Sequence, residues 1–132
     1  IKTGGERIKR KGYFYKPTVI INVNDNMKVV NDEVVGPVAP VSIVSGEKAA
    51  LEAANHKEFG LGASVWTKNE EKAMEIARKL EAGDVFINSI VKSDPRMPFG
   101  GIKKSGIGRE LSKYGLKEFV NVKGINLYEH KT

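Results

Sequence analysis

The sequence has 132 residues, 40% of them hydrophobic and 29% charged, which is the balance of one ordinary globular domain or part of one. It contains no cysteine, so a disulfide framework, a Cys-ligated zinc site and a thiol nucleophile are excluded within this chain. The formal net charge is +6, no apolar run approaches the ~20 residues of a membrane span, and residues 1–12 are charged rather than apolar. We therefore expect a cytoplasmic protein with neither a membrane anchor nor a signal peptide.

Basic residues are concentrated at the start of the chain. Within residues 1–16, six lysines and arginines stand against Glu6 alone. Such a cluster is compatible with a nucleic-acid surface, but no aromatic stripe or basic helix accompanies it, so we interpret it as a solvated loop and expect no nucleic-acid partner. The two histidines, His56 and His130, are far apart and neither has a metal-ligand spacing, so no metal site is predicted.

The first half of the chain alternates between strand and helix signals. β-branched residues predict strands over residues 18–23 and 38–44, and Pro40 should keep one end of the second strand out of a sheet interior. Alanine-rich residues 47–57 predict a helix, and a further strand is predicted over 61–67.

The clearest helix signal covers residues 69–83. Asn69 is a suitable N-cap, Ile76 and Leu80 belong to an apolar face that should pack on a sheet, and Gly83 is expected to end the helix. A short buried strand follows over 84–88. The order strand, helix, strand, helix, strand predicts an α/β fold with a parallel sheet and crossover helices.

A long loop with Pro and Gly residues follows the last of these strands. Because ligands of parallel sheets bind beyond the carboxyl ends of the strands, we expect residues 89–105 to form a site loop there. Beyond the loop, the sequence predicts a helix that starts between 106 and 109 and stops near Gly115. A strand interrupted at Gly124 is predicted over 118–128.

Two segments point to a binding function, and each has a plainer alternative. Asp32 and Glu33 precede Gly36-Pro37, and a carboxylate on such a turn can accept hydrogen bonds from two sugar hydroxyls; the alternative is a surface acidic pair. Residues 98–110 are rich in glycine and serine, as phosphate-cradling loops are, but the spacing matches neither a P-loop nor the dinucleotide fingerprint. The alternative for this segment is a tight backbone crossing that only glycine permits.

Taken together and in this order, the motifs resemble the C-terminal third of the aldehyde dehydrogenase superfamily over essentially the whole chain. The matching stretches are Gly12-Tyr13-Phe14-Tyr15-Lys16-Pro17-Thr18, Glu33-Val34-Val35-Gly36-Pro37, residues 55–61, Ala82-Gly83 with Val85 and Asn88, and residues 98–110, which read Pro-Phe-Gly-Gly-Ile-Lys-Lys-Ser-Gly-Ile-Gly-Arg-Glu. The stretch from Ser93 to Phe99 is most similar to succinate-semialdehyde dehydrogenase-like members.

The resemblance implies oxidation of an aldehyde to a carboxylic acid with NAD or NADP as cofactor. It assigns Glu33 to the nicotinamide ribose and places Val35, where the family usually has Phe, beside the nicotinamide. The family's nucleophilic Cys, general base and oxyanion-hole amide belong to the preceding sequence. No catalytic residue is therefore expected in this chain, which should be inactive alone; the alternative is a short non-catalytic relative that acts as an interaction module.

The resemblance also bears on the substrate. Ser93 and Phe99 are expected to line the aldehyde site. Lys92 and Arg96, in a stretch with the single acid Asp94, favour an anionic or hydroxylated aldehyde such as succinate semialdehyde, although the charges are equally compatible with a merely solvated loop.

Assembly is the last implication of the resemblance. Residues 1–118 are expected to be the C-terminal part of the catalytic domain, and residues 119–132 an oligomerisation strand and tail. Unpaired strand edges tend to pair with other chains, and family members use a strand in this position to extend the sheet of a neighbouring subunit. We therefore expect the remainder of the enzyme and further subunits, in a dimer or tetramer, as partners.

Overall fold

The computed structural model describes residues 1–129, which divide into two compact units, one comprising Ile1–Ala50 and the other beginning at Leu51. Within the described part of the chain, no helix is long and apolar enough to cross a membrane. Nor do residues 1–129 contain a group of three or more His, Cys, Asp or Glu side chains that could hold a metal ion.

Two short parallel strands form the centre of the first unit. Its elements are β1 (Thr18–Ile21), α1 (Lys28–Asn31) and β2 (Val38–Val41), and α2 (Glu47–Asn55) begins in it. β1 and β2 pair in parallel, with Thr18 opposite Val38. An isolated antiparallel bridge joins Thr3 to Val19, and the buried Thr18 hydroxyl accepts a hydrogen bond from the Gly5 N–H at 2.8 Å. The acidic turn of residues 32–37 is the connection between α1 and β2.

A strand–helix–strand crossover forms the centre of the second unit. Its elements are β3 (Phe59–Gly60), β4 (Gly62–Val65), α3 (Glu70–Lys79), β5 (Asp84–Ile87), β6 (Ile102–Lys103) and α4 (Ser112–Lys117). β4 and β5 pair in parallel, α3 packs on both, and β3 and β6 pair antiparallel. The predicted α/β fold with parallel strands is confirmed. The described strands form three separate pairs rather than the one continuous sheet that the element order predicts, and β2 pairs with β1.

The start of α3 agrees with its sequence signal. The Asn69 side-chain Oδ1 accepts a hydrogen bond from the Lys72 N–H at 2.9 Å, which satisfies one of the unpaired donors of the first turn. Ala73 is fully buried and Ile76 and Leu80 are half-buried, so the apolar face does pack on the sheet.

The end of α3 differs from its prediction. The helix stops at Lys79, so Gly83 does not end it. The side-chain amide of Asn55 forms hydrogen bonds with the backbone just after the helix. Its Nδ2 donates to the Lys79 carbonyl and its Oδ1 accepts from the Glu81 N–H, each at 2.8 Å. A contact 26 residues away along the chain therefore determines where this helix ends.

The helix predicted from residues 106–109 onward begins later, at Ser112, and runs to Lys117. Gly108 and Leu111 have φ values of 73° and 62°, whereas a right-handed helix needs about −63°. Glu110 is held instead in a backbone bridge to Phe99. The glycine-rich segment is therefore a loop up to residue 111.

The strand predicted over residues 118–128 is not formed within the described chain. Residues 118–120 continue from α4 as a turn and bend, and residues 121–129 have no regular structure. Phe119 is 92% exposed and Leu127 94% exposed. A strand requires a hydrogen-bonding neighbour, and no segment of residues 1–129 provides one here.

Few apolar side chains of the described chain are buried. Within residues 1–129 the buried apolar residues are Val23 and Ala73, whereas Trp66, Ile107 and Phe119 are among the exposed large ones. A compact domain of this size removes roughly two thirds of its surface from water. Apolar exposure on this scale is typical of surfaces that bind other protein segments.

Candidate functional site

Glycines allow two segments to cross at the amino end of the β4–β5 pair. Gly83 immediately precedes β5, and a Cβ atom on it would lie 1.7 Å from the carbonyl oxygen of Gly100. The Gly100 N–H donates to the Asp84 carboxylate at 3.1 Å, at the first residue of β5. Because no side chain fits between the two backbones, Gly83 is required by this crossing and not as a helix stop.

A second close approach joins the same segment to β3. The Gly60 N–H donates to the Ser105 Oγ at 2.9 Å, and Gly60 pairs with Ile102 of β6. A Cβ on Gly101 would lie 2.5 Å from the Cβ of Ser105. The glycine- and serine-rich run thus forms a tight backbone crossing, which is the alternative to a phosphate-cradling loop.

The loop after β5 does not stay at the carboxyl end of the strand, where the sequence places it. A Cβ on Gly62, the first residue of β4, would lie 2.7 Å from the Val91 Cγ1, so the chain has already returned to the amino end by Val91. Strands of four residues span only about 13 Å, and a few extended residues suffice for the reversal. At the carboxyl end, the side-chain amide of Asn88 exchanges two hydrogen bonds of 2.9 Å with the Thr67 backbone.

Lys103 ties the glycine-rich segment to the end of α2. Its ammonium group donates to the carbonyls of Asn55 and Lys57 at 2.7 and 3.1 Å, and it forms an ion pair of 2.6 Å with Glu81. A cation at a helix C-terminus satisfies carbonyls that have no partner within the helix and interacts favourably with the helix dipole. The side chain is therefore engaged in structure and not directed to a ligand.

A pocket of about 430 Å³ lies against the glycine-rich segment. On one side, the backbones of Phe99 and Glu110 exchange two hydrogen bonds of 2.9 and 2.7 Å. The Arg109 guanidinium, which also lines the pocket, donates to the carbonyls of Gly101 and Gly108 at 3.1 and 2.6 Å. These bonds fix the shape of the pocket through backbone groups.

The turn between Ser93 and Phe99 is held by one ion pair. The Arg96 Nε donates to the Asp94 Oδ1 at 2.9 Å and its terminal nitrogen donates to the Oδ2 at 2.6 Å, so the ion pair is bidentate. The Arg96 backbone N–H also donates to the Asp94 Oδ1 at 2.9 Å, and the Met97 N–H to the Asp94 carbonyl at 2.9 Å. The side-chain and backbone hydrogen bonds from Arg96 hold the pKa of Asp94 well below its usual range, and Asp94 in turn raises the pKa of Arg96.

The four residues assigned to cofactor and substrate fall in different surroundings. Phe99 lines the pocket, whereas Ser93 is exposed and is not among the residues that line it. Glu33 and Val35 lie in the first unit, in the turn between α1 and β2; Glu33 is exposed and Val35 is 92% exposed.

Sequence reasoning assigned no role to Asn55, Asp84 or Ser105, which position the glycine-rich segment and the helices around it. Asn55 stands at the last residue of α2, a place where an amide can reach the end of a neighbouring helix. Asp84 precedes an apolar run, where a carboxylate is unusual in a buried strand. An amide at the end of a helix and a carboxylate at the start of an apolar strand are therefore the two sequence signals that could have indicated these hydrogen bonds.

Comparisons with known proteins agree with this architecture. The sequence profile described as "Aldehyde dehydrogenase family" matches residues 1–125. The succinate-semialdehyde dehydrogenase (NADP(+)) of Mycobacterium leprae is 47% identical over 125 residues, which are 95% of this chain and 27% of that protein. The succinate semialdehyde dehydrogenase (NAD(P)+) of Escherichia coli is 48% identical over 122 residues, 92% of this chain and 26% of that protein.

Solved structures give the same result. The crystal structure of an aldehyde dehydrogenase from Mycobacterium tuberculosis complexed with NAD+ superposes with a TM-score of 0.92 at 35% identity, covering 99% of this chain and 27% of that one. The chain thus spans about a quarter of the length of the proteins it matches. Since the family profile covers all but the last seven of its 132 residues, the chain belongs to the aldehyde dehydrogenase family.

Proposed function

We propose that this chain is the C-terminal segment of the catalytic domain of an NAD(P)-dependent aldehyde dehydrogenase that oxidises an anionic or hydroxylated aldehyde, with succinate semialdehyde as the leading candidate. The observation that carries the proposal is the hydrogen-bonded turn from Ser93 to Phe99, which joins an exposed hydroxyl to an aromatic ring that lines a pocket. Relatives that are 47% and 48% identical carry the name succinate-semialdehyde dehydrogenase, which supports this substrate class.

Glu33 and Val35 form the proposed contribution to the cofactor site. The carboxylate of Glu33 is exposed on the turn before β2, and no cation of residues 1–129 forms an ion pair with it. An ionised carboxylate accepts two hydrogen bonds at once, which suits the two hydroxyls of a ribose. Val35 offers an exposed apolar contact two residues further on, which suits an aromatic ring. When bound, the nicotinamide accepts the hydride that the aldehyde carbon loses.

The composition indicates which parts of the reaction this chain can contribute to and which require other residues of the enzyme. This chain has no cysteine, so a thiol nucleophile must come from residues outside this sequence. The proposed contribution of the chain is to bind and orient: Glu33 and Val35 position the cofactor, and Ser93 and Phe99 position the aldehyde. Correct orientation of two reactants can itself supply a large part of a rate acceleration.

The substrate proposal predicts a preference that kinetics can measure. In an enzyme that contains this chain, kcat/KM should be at least about tenfold higher for succinate semialdehyde than for butanal, which has the same four-carbon chain without the carboxylate; a charge-assisted contact of roughly 1.5 kcal/mol accounts for this ratio. Steady-state assays with NAD+ and with NADP+ would give the ratio. Equal values for the two aldehydes would contradict the proposed substrate class.

Residues 119–132 are proposed to be the part of the chain that binds another subunit, while residues 1–118 complete the catalytic domain. The support is the apolar and exposed character of the described part of this arm, in which Phe119, Val122, Ile125 and Leu127 are each more than four-fifths exposed. Leaving these side chains in water costs roughly 1.5–3 kcal/mol each relative to burial. A strand partner on another subunit would bury them and pair their backbone groups.

Removal of the arm should therefore weaken assembly. We expect deletion of residues 121–132 to shift the enzyme toward monomers in multi-angle light scattering, because the apolar side chains and the unpaired backbone are lost together. Deletion of residues 130–132 alone is the matched control and should leave the oligomer unchanged. An oligomer that survives the longer deletion would show that the arm is not its interface.

A further inference from the structure

The charged groups of the Ser93–Phe99 turn do not act independently. Lys92, Asp94 and Arg96 are the charged residues of the stretch 89–99, which leaves a net charge of +1. Arg96 is 87% exposed, yet its guanidinium lies on the carboxylate of Asp94 through two hydrogen bonds. Single exposed ion pairs are usually weak, but bidentate geometry between Arg and a carboxylate is the favourable exception, and here a backbone hydrogen bond to the same carboxylate reinforces it.

The same turn is anchored on both sides, so the pair has a defined position. The Ser112 N–H at the start of α4 donates to the Pro95 carbonyl at 3.1 Å, and the Phe99–Glu110 bridge holds the far end. The backbone that carries Arg96 is therefore held by hydrogen bonds on both sides. Ser93 directly precedes Asp94, the ion-pair partner of Arg96.

We infer that Asp94 determines the charge selectivity of this turn by offsetting the charge of Arg96, so that the turn attracts the carboxylate of an anionic aldehyde with its net charge of +1 and not with two independent cations. This inference rests on the proposed function. It departs from the interpretation drawn from the sequence, in which Arg96 attracts the substrate directly. Asp94 is thus a positioning residue, because it acts through Arg96 and not by touching the aldehyde.

The inference makes opposite predictions for the two partners of the pair. Asp94→Asn removes the negative charge but keeps an oxygen for the Arg96 N–H, and it raises the net charge of the stretch to +2. Arg96→Gln leaves Asp94 unpaired and lowers the net charge to zero. A unit charge at about 6–8 Å in a largely aqueous medium changes affinity by roughly 3- to 10-fold.

The readout is the ratio of kcat/KM for succinate semialdehyde to that for butanal, measured in the complete enzyme. A looser turn affects both aldehydes alike, whereas a charge affects only the anion, so the ratio isolates the electrostatic effect. We expect the ratio to rise about 3- to 10-fold in Asp94→Asn and to fall by a similar factor in Arg96→Gln, mainly through KM. Both changes should shrink in 0.5 M NaCl, since salt screens exposed charges.

The double variant Asp94→Asn/Arg96→Gln decides between the inference and its alternative. It restores the net charge of +1, so we expect a ratio within about twofold of the wild type. If Arg96 itself bound the substrate carboxylate, the double variant would be as impaired as Arg96→Gln, and the inference would be wrong. Asp94→Ser, whose hydroxyl can also accept from the Arg96 N–H, should behave as Asp94→Asn if the charge alone is responsible.

Failure of the inference and failure of the proposed function give different results. A wild-type enzyme that oxidises butanal and succinate semialdehyde equally well would overturn the substrate class, while a variant series with an unchanged ratio would overturn the inference alone. An enzyme that oxidises neither aldehyde would overturn both.

Discussion

Gly83→Ala should prevent the second unit from folding correctly. The new methyl group would lie 1.7 Å from the carbonyl oxygen of Gly100, which is backbone and cannot rotate away as a side chain can. Overpacking of a well-packed site costs roughly 1–3 kcal/mol and occasionally more, and a clash between two backbones at this distance belongs at or above the upper end. We expect a loss of about 3 kcal/mol or more in the free energy of unfolding of the complete enzyme, or a loss of soluble protein.

Denaturant titration and soluble yield would measure this effect. Gly36→Ala is the matched control, because no atom lies within 4 Å of the position a Cβ would occupy there, and it should change the free energy of unfolding by less than about 0.5 kcal/mol. If Gly83→Ala were as stable as Gly36→Ala, the crossing of Gly83 and Gly100 would not exist as described.

Glu33→Gln should slow hydride transfer in the complete enzyme. The substitution keeps the size of the side chain but removes the charge that would strengthen the proposed hydrogen bonds from two ribose hydroxyls, and hydrogen bonds to charged groups contribute roughly 1.5–3 kcal/mol. The corresponding loss in kcat is roughly 10- to 150-fold if those bonds are needed to orient the nicotinamide. Single-turnover measurements of NADH or NADPH formation would separate this step from product release.

Asp32→Asn provides the control for that experiment. Asp32 is the neighbouring acid, is exposed as Glu33 is, and ends α1 through its backbone N–H, a contact that the substitution leaves intact. We expect kcat for this variant to stay within about twofold of the wild type. Equal behaviour of the two variants, with either cofactor, would remove the support for a specific role of Glu33.

Local signals in the sequence were sufficient for the parts of the fold that depend on neighbouring residues. Asn69 caps α3 because its side chain reaches a donor only three residues away, and the apolar face of Ile76 and Leu80 follows from helical periodicity. The β4–α3–β5 crossover follows from the order of such elements. The family resemblance likewise depends on motifs that are read directly from the chain.

Long-range contacts decided the features that the sequence left open or indicated wrongly. α3 ends at Lys79 because Asn55 binds its last carbonyl, and Gly83 is required by Gly100, 17 residues later. The number of glycines in residues 98–110 does not distinguish a ligand loop from a backbone crossing; only the position of Gly60 and Gly83 against them does.

The ion pair of Arg96 and the conformation of residues 118–129 are two further features that composition does not predict and that depend on tertiary structure. Composition alone indicates that two cations and one acid lie near Ser93, that most of residues 119–128 are apolar, and that no thiol is present. Only the tertiary structure showed that Arg96 is paired with Asp94 and that the apolar arm has no strand partner within the described chain. The physical reason is that charge and hydrophobicity are properties of single residues, whereas neutralisation and strand formation require a second group in a defined position.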